Sequence, residues 1–407
     1  MNLLIVEYIS GGGYANQKLS GSILSEAYGM LRCIISDFKV LGHSVTTLLD
    51  SRLMAFYPPN EADKVIAISS VRQFYKKIKD LSNTVEAVYF IGPESNNVLE
   101  TLVKTTITSN VKSLNSEFDG IKFVSNKKIV YEIAKKIGLR VPETELIHVN
   151  ESFENIKKII KDFGYPSIIK PIIGVSCGGL SIIKDQTKLR DAIKKVSKES
   201  NNNHFIIQKL IRGNPASVSV FSTGMKAVSV SLNKQFINLE DPDHESRYSG
   251  GMIPFDHKLE EKSLMSAKRL IEAFHGLKGY IGVDIVLTND EVVIMEVNPR
   301  LTTSYIGLRK IVNFNIADAI LKVIIDGKLP KNIEKRGYSF FSKVQVPSRP
   351  QIIIKTYQIK NIVSPPFTVE LRKPAIALIS TTSSTNKGAK QAFYRTKKRL
   401  LNIYGEK

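Results

Sequence analysis

A chain of 407 residues is longer than one hydrophobic core usually serves, so two or three domains are expected. With 43% hydrophobic and 24% charged residues it is neither disordered nor fibrous, and no apolar run approaches the roughly 18 residues of a membrane span. The excess of 58 Lys and Arg over 38 Asp and Glu gives +20, a charge suited to phosphate or carboxylate ligands or to nucleic acid.

Two cysteines, Cys33 and Cys177, are too few for a disulfide framework and fit a reduced compartment. The six histidines show no HExxH spacing, so a histidine zinc site is not expected. MNLLIVEYIS has no basic leader and no small-residue cleavage site, which makes a cytoplasmic location the expectation, with no membrane partner.

In chain order, LLIVEYI reads as a buried strand, GGG as a breaker and SILSEAYGMLRCIISDFKVLG as a helix. SVTTLLD is a second strand, VRQFYKKIKDLS a helix, VEAVYFIG a third strand, and SNNVLETLVKTTITSN a helix opened by a Ser or Asn cap. This alternation predicts a parallel α/β layer over residues 1–110. FVSN then reads as a short strand, KKIVYEIAKKIG as an amphipathic helix stopped by Gly138, and IKKIIKDFG as a further helix. SIIKP and LSIIKD are strands flanking the loop IIGVSCGG. HFIIQKLI, ASVSVFS and KAVSVSL continue a strand-rich region, and SLMSAKRLIEAFHGL is helical. Residues 111–330 thus form a second unit. A third, 331–407, carries strands SFFSKVQVP, QIIIKTYQI and AIALIS, then a basic terminal helix.

Chemistry concentrates where IGVDIVL and VVIMEVN flank the turn TND, the pattern of an antiparallel hairpin. Glu296 and Asn298 share one face of the second strand, and Asp284 approaches the same end. Unpaired carboxylates are costly inside a core, whereas a hard cation between them, Mg2+ in particular, accounts for oxygen donors without His or Cys. A half-exposed hairpin with solvent-facing carboxylates has the same spacing. Arg300 sets a fixed positive charge two residues beyond Asn298. Lys170 ends a strand before Pro171, Lys127 opens a helix, and GVSCGG offers backbone N–H groups to a polyphosphate. The loop Gly11, Gly12, Gly13 fails the GxGxxG frame at Asn16. It is either a ligand-contacting strand exit or a tight turn.

The order Lys127, Lys170, glycine loop, FIIQKLI, Asp284, Glu296, Asn298, Arg300 resembles the ATP-grasp superfamily. That resemblance implies two α+β subdomains of 111–330 holding ATP between them, an N-terminal α/β pre-ATP-grasp domain and a small C-terminal α+β domain. It implies phosphate contacts from Lys127, Lys170 and the loop residues Gly174, Ser176, Gly178 and Gly179, and an adenine hinge at Gln208, Lys209 and Ile211. It implies Mg2+, or alternatively Mn2+, on Asp284, Glu296 and Asn298, with Lys170 and Arg300 assisting transfer. Departures from the family pattern are Asn126 for Asp, Gln208 for Glu, and Pro215 where many members bind ribose with Glu. EYISGGG, SEAYGMLRCIISDF, GPESNNVLETL and MEVNPRLTTSYIGL resemble, through about residue 325, the archaeal branch that includes tyramine-glutamate ligase of methanofuran biosynthesis and, more distantly, the pyrrolysine-pathway ligase.

The activity so implied joins an acid to a small amine through an acyl phosphate, releasing ADP and phosphate. Substrate contacts are expected from Gly11–Gly13, Thr302, Thr303 and Ser304, with Arg247 either on a substrate carboxylate or on a surface loop. Two other activities stay open: a basic nucleic-acid-binding protein on the same fold, against which the absence of Trp argues, and a small-molecule kinase. A homodimer paired through the N-terminal layer is the expected assembly.

Overall fold

The structure is a computed structural model that describes residues 1–107, 111–172, 179–199, 203–370 and 373–405. Its first sheet comprises β1 (Asn2–Glu7), β2 (Ser44–Asp50), β3 (Lys64–Ile68), β4 (Ala87–Ile91) and β5 (Lys112–Ser113). All are parallel, in the order β3-β2-β1-β4-β5. The helices Gly21–Val40 and Val71–Ser82 cross between strands, the second capped by Ser70 Oγ, which accepts from Gln73 N at 3.2 Å. β3 and β5 escape the sequence reading because KVIAI is only half-buried at the sheet edge and Lys112–Ser113 is two residues long. The expected capped helix over 95–110 is shorter: Val98–Lys104 follows Asn97, which is left-handed (φ +55°) and makes no capping bond, and 108–110 lie outside the described residues.

FVSN is not a strand. It ends the helix Phe118–Ser125, whose Ile121 and Val124, three apart, are buried while Phe123 is exposed. A four-residue apolar run does not separate the two periods. Asn126, in extended conformation, breaks this helix from Lys127–Lys136 and caps the latter by accepting from Lys128 N at 3.0 Å.

A second sheet is antiparallel throughout: β6 (Thr144–His148), β7 (Ser167–Pro171), β8 (Ser181–Ile183) and β9 (His204–Lys209), in the order β6-β9-β7-β8. Helices Phe153–Phe163 and Leu189–Glu199 supply the apolar residues that pack on it, among them Ile156, Ile160, Leu189 and Val196.

The third sheet has eight strands. β10 (Asn214–Thr223), β11 (Ala227–Asn238), β12 (Arg247–Ile253), β13 (Lys278–Leu287) and β14 (Val292–Asn298) are joined by β15 (Tyr338–Val346), β16 (Ile362–Ser364) and β17 (Ala375–Ser383), in the order β14-β13-β10-β11-β12-β15-β17-β16. The 331–407 segment therefore hydrogen-bonds directly onto β12, with Gly250 opposite Ser342 and Ile253 opposite Ser339. Gly250 (φ +143°) is needed there, since a Cβ would lie 2.1 Å from Phe341 O. QIIIKTYQI, expected as a strand, instead starts at Pro350 as the short helix Pro350–Thr356. Ile353 and Thr356 are buried and Ile354 is 60% exposed, a period of three that strand alternation would not give.

One core joins the N-terminal layer, the third sheet and the 331–407 segment: Leu31 and Ile34, Ile306 and Ile320, Phe341 and Leu378 pack together, while the β6–β9 sheet has a core of its own. Beside this core Lys310, exposed along much of its side chain, donates from Nζ to Ser380 O of β17 at 2.8 Å, and desolvation of the ammonium there lowers its pKa. Because the folded pKa lies below the unfolded one, the folded chain gains stability as pH rises toward the unfolded value of about 10.4, by a small amount because solvent reaches much of the side chain. Lys310→Met is accordingly expected to lose this rise, so that any advantage it has over the native chain at pH 7 shrinks by pH 10. Melting temperatures across that range check it.

Candidate active site

The hairpin β13–β14 sets Asp284 directly opposite Glu296, and Gly282 opposite Asn298, so the three oxygen donors meet at one end of the sheet. A Cβ at Gly282 would sit 2.4 Å from Thr302 Cγ2. Only glycine lets the loop after β14 fold back over the strand. A cavity of about 650 Å3 opens at this point, walled by all three sheets. Lys127, Lys170, Gln208, Lys209, Ile211, Asp284, Glu296, Asn298, Arg300, Thr302, Thr303 and Ser304 all line it, although the sequence spreads them over 178 positions (304 less 127, inclusive).

Each side chain has a structural reason for its position. Lys127, 5% exposed, leads its helix into the cavity, where Nζ lies 3.0 Å from a Glu296 oxygen. Lys170, 8% exposed, is carried by β7 opposite Ile206. Gln208 on β9 donates from Nε2 to Tyr131 OH (3.1 Å) and Thr144 Oγ1 (2.9 Å), while Tyr131 OH donates to Met295 O (2.8 Å). Its amide is thereby fixed beside the segment Lys209–Ile211, and Lys209 N is engaged with Glu143 O at 3.0 Å. Arg300 Nη2 donates to Glu94 Oε2 at 2.9 Å, with Nη1 on Leu301 O and Nε on no hydrogen-bond acceptor among the described residues.

Burial, and next the charge of Glu296, push the Asp284 carboxyl up to about 7, against hydrogen bonds donated by Gln235 Nε2 (2.9 Å) and Asn298 Nδ2 (3.1 Å). Two opposed carboxylates with an amide beside them are hard oxygen donors of the kind Mg2+ and Mn2+ prefer, and a cation among them would offset that repulsion. Among the described residues no three of His, Cys, Asp and Glu gather to hold a metal, so an ion here would take its other oxygens from a ligand or water.

Some expected site residues stand elsewhere. Gly11, Gly12 and Gly13 form a buried turn, Ile9–Gly13, off the cavity wall: Gly12 (φ +106°) lies against Ile68, and a Cβ on Gly13 would be 2.3 Å from the Tyr8 ring. Tight packing, the alternative to ligand contact, is what uses these glycines. Arg247 is exposed and absent from the wall, whereas its neighbour Tyr248 lines it. Thr303 Oγ1 donates to Glu26 Oε2, and Thr302 and Ser304 hydroxyls bond each other at 2.8 Å. Gly174, Ser176 and Gly178 lie outside the described residues. Gly179 is left-handed (φ +67°) where the loop rejoins β8.

Several lining residues were not singled out from the sequence, among them Glu7, Glu26, Arg212, Gln235 and Tyr248. Glu7 had a signal, a carboxylate ending the apolar run LLIV, since such a group inside a strand must be satisfied or used. Burial pushes its carboxyl up to about 7, opposed by N–H groups of Ser10 and Ile9, the Ser10 hydroxyl and the charge of Arg300. Glu26 sits mid-helix with no comparable mark.

Residues 124–304 match the model of the ATP-grasp domain and residues 43–121 that of the pre ATP-grasp 3 domain. The chain is 27% identical over 322 residues to the tyramine–L-glutamate ligase of Methanocaldococcus jannaschii, covering 79% of this chain and 88% of that one. It is 25% identical over 339 residues to the same-named enzyme of Methanocaldococcus fervens, covering 83% and 99%. Among solved structures, the ADP complex of N5-carboxyaminoimidazole ribonucleotide synthetase superposes with a TM-score of 0.68 at 16% identity, over 99% of this chain and 97% of that one. Enzymes of this fold use ATP with Mg2+ or Mn2+. With this fold, these two domains and these relatives, the chain belongs to the ATP-grasp superfamily and is an ADP-forming carboxylate-amine ligase.

Proposed function

We propose that the cavity joins the carboxylate of an amino acid to a small primary amine, with glutamate and tyramine as the substrates, as in the named relatives. The observation that carries this reading is the convergence of Lys127, Lys170, Asp284, Glu296, Asn298 and Arg300 on one cavity beside the segment Lys209–Ile211. On this reading the base of ATP lies along that segment, while Lys127 and Lys170 offset phosphate charge. Asp284, Glu296 and Asn298 hold a divalent ion, which would supply further charge neutralisation on the phosphate oxygens.

The substrate carboxylate attacks the terminal phosphorus, ADP leaves, and an acyl phosphate forms. Arg300, already held by Glu94, stabilises the transferring phosphoryl group. The amine nitrogen then attacks the acyl carbon, the carbon–oxygen bond to phosphate breaks, and of the two protons the ammonium gives up, one goes to water and one leaves on hydrogen phosphate. Catalysis is positioning and electrostatics, with no protein nucleophile. The domain reading of 1–110, 111–330 and 331–407 accompanies this proposal, the last unit extending the sheet that bears the donors.

Phosphorus NMR of the protein with Mg-ATP tests it. ADP and phosphate are expected only when glutamate and tyramine are both present, with an adduct lighter than their sum by one water. A phosphorylated product without amide would turn the reading to a kinase, and ATP left intact with these and with a pool of other acids and amines would overturn it.

A further inference from the structure

The strand order β3-β2-β1-β4-β5 reverses its direction of growth between β1 and β4. In open parallel α/β sheets, ligands bind outside the carboxyl ends of the strands at such a point. Here Glu7 ends β1 and Ile91 ends β4, and both line the cavity, as do Ile9, Ile23, Ala27 and Met30. The result is a mostly apolar wall with very few charges on it.

Those charges are not alike. Glu26 pairs with Lys343, which also donates to Ser22 Oγ (2.7 Å) and Tyr248 O (2.9 Å), and Arg300 pairs with Glu94, which stands behind the wall. Glu7, 2% exposed, forms no ion pair among the described residues. Oε1 accepts from Ile9 N (3.1 Å) and Oε2 from Ser10 N (2.6 Å) and Ser10 Oγ (2.7 Å), which fixes the carboxylate while leaving Oε1 a further acceptor site. A fixed, desolvated carboxylate on an apolar cavity wall is costly until a cation reaches it.

We propose that this wall is the amine subsite, with Glu7 receiving the ammonium of a primary amine whose hydrocarbon body lies along Ile9, Ile23, Ala27, Met30 and Ile91. The proposal rests on the ligase reading and adds to it the side of the cavity from which the amine comes. It also sets a substrate class, monoamines with an apolar body. An amino acid is disfavoured as the amine donor, because its carboxylate would meet Glu7 and Glu26, and the lysine beside them, Lys343, is already paired with Glu26.

Calorimetric titration of the full chain with three probes tests this: tyramine, tyrosol (a hydroxyl in place of the ammonium) and tyrosine (an added carboxylate). The wild type is expected to bind tyramine roughly 10- to 100-fold more tightly than either other probe. Glu7→Gln is expected to reduce the tyramine-to-tyrosol ratio to within about threefold while ADP affinity and melting temperature hold, which loss of a merely structural turn cap would not do. Ile23→Ser, at a position 36% exposed that folding tolerates, should weaken tyramine and leave methylamine unchanged. A wild-type ratio retained in Glu7→Gln overturns the subsite, as does equal wild-type binding of tyramine and tyrosol. Should Glu7→Gln fail to fold, unchanged tyramine affinity in Ile23→Ser does the same. ADP release with acid plus amine, assayed in parallel, separates the two readings: if it persists, only the subsite falls, and if it is absent, the ligase reading falls.

Discussion

Exchanging Glu296 for glutamine is expected to lower amide formation by at least about 10^2- to 10^3-fold with the fold intact, the scale seen when one electrostatic stabiliser is removed from a preorganised site. Glutamine has the same shape, and its amide oxygen can still accept from Lys127, whose Nζ lies 3.0 Å from Glu296, so the buried lysine keeps an acceptor. The neighbouring anchor, Tyr131 OH on Met295 O at 2.8 Å, involves main chain and is untouched. What disappears is one of two opposed carboxylates, and with it half the negative charge that a divalent ion needs from Asp284 and Glu296. Turnover measured across a Mg2+ titration checks this. The residual activity should need a higher metal concentration, while circular dichroism and melting temperature stay near wild type. Wild-type turnover in a folded Glu296→Gln protein would remove the metal assignment.

That the hairpin was readable in advance has a simple cause. β13 and β14 are two apolar runs joined by a polar turn, so the pairing of the strands follows from the pattern, but regular pairing past Ile285–Ile294 would set Asp284 opposite Met295, and only the register shift between Asp284 and Ile285 brings Glu296 opposite it, which the spacing does not announce. Strands β2 and the helix Val71–Ser82 coincide with their sequence segments for the same reason: strong periodicity bounded by breakers. Legibility fails where a short apolar run carries no distinct period, as at FVSN and QIIIKTYQI, and where the deciding contact is far away in sequence. The turn Gly11–Gly13 looks like a ligand loop until Ile68 and Tyr8 are seen to fill its surface. Gln235 becomes a partner of Asp284 only through the sheet order that brings β11 near β13, and no local pattern announces that.

The second large effect is on stability, at the seam between the N-terminal layer and the segment after β14. Asp37, 6% exposed near the end of the helix Gly21–Val40, accepts from Arg309 Nε at 2.9 and 3.0 Å, from Arg309 Nη2 and from Tyr305 OH, while its main-chain oxygen accepts from Asn315 Nδ2 at 3.0 Å. Asp37→Ala leaves a guanidinium 20% exposed and a fully buried phenol without their acceptor. Such a loss costs about 3–5 kcal/mol. Removing the cation as well should restore part of it, so Asp37→Leu with Arg309→Met is expected to be more stable than Asp37→Ala alone. Denaturant titration followed by circular dichroism and by tyrosine fluorescence, apt in a chain with 15 Tyr and no Trp, measures the differences. A loss below about 1 kcal/mol would mean that the pair is screened like a surface ion pair. The seam matters to function because the same helix carries Ile23, Glu26 and Met30 on its earlier turns, and the loop 300–304 leads into Tyr305 and Arg309. Loosening it lets the pre-ATP-grasp wall shift against the phosphate wall. At temperatures where Asp37→Ala is still folded, affinity for the amine should therefore fall more than affinity for ATP, whose proposed contacts on β7, β9, β13 and β14 lie outside the seam.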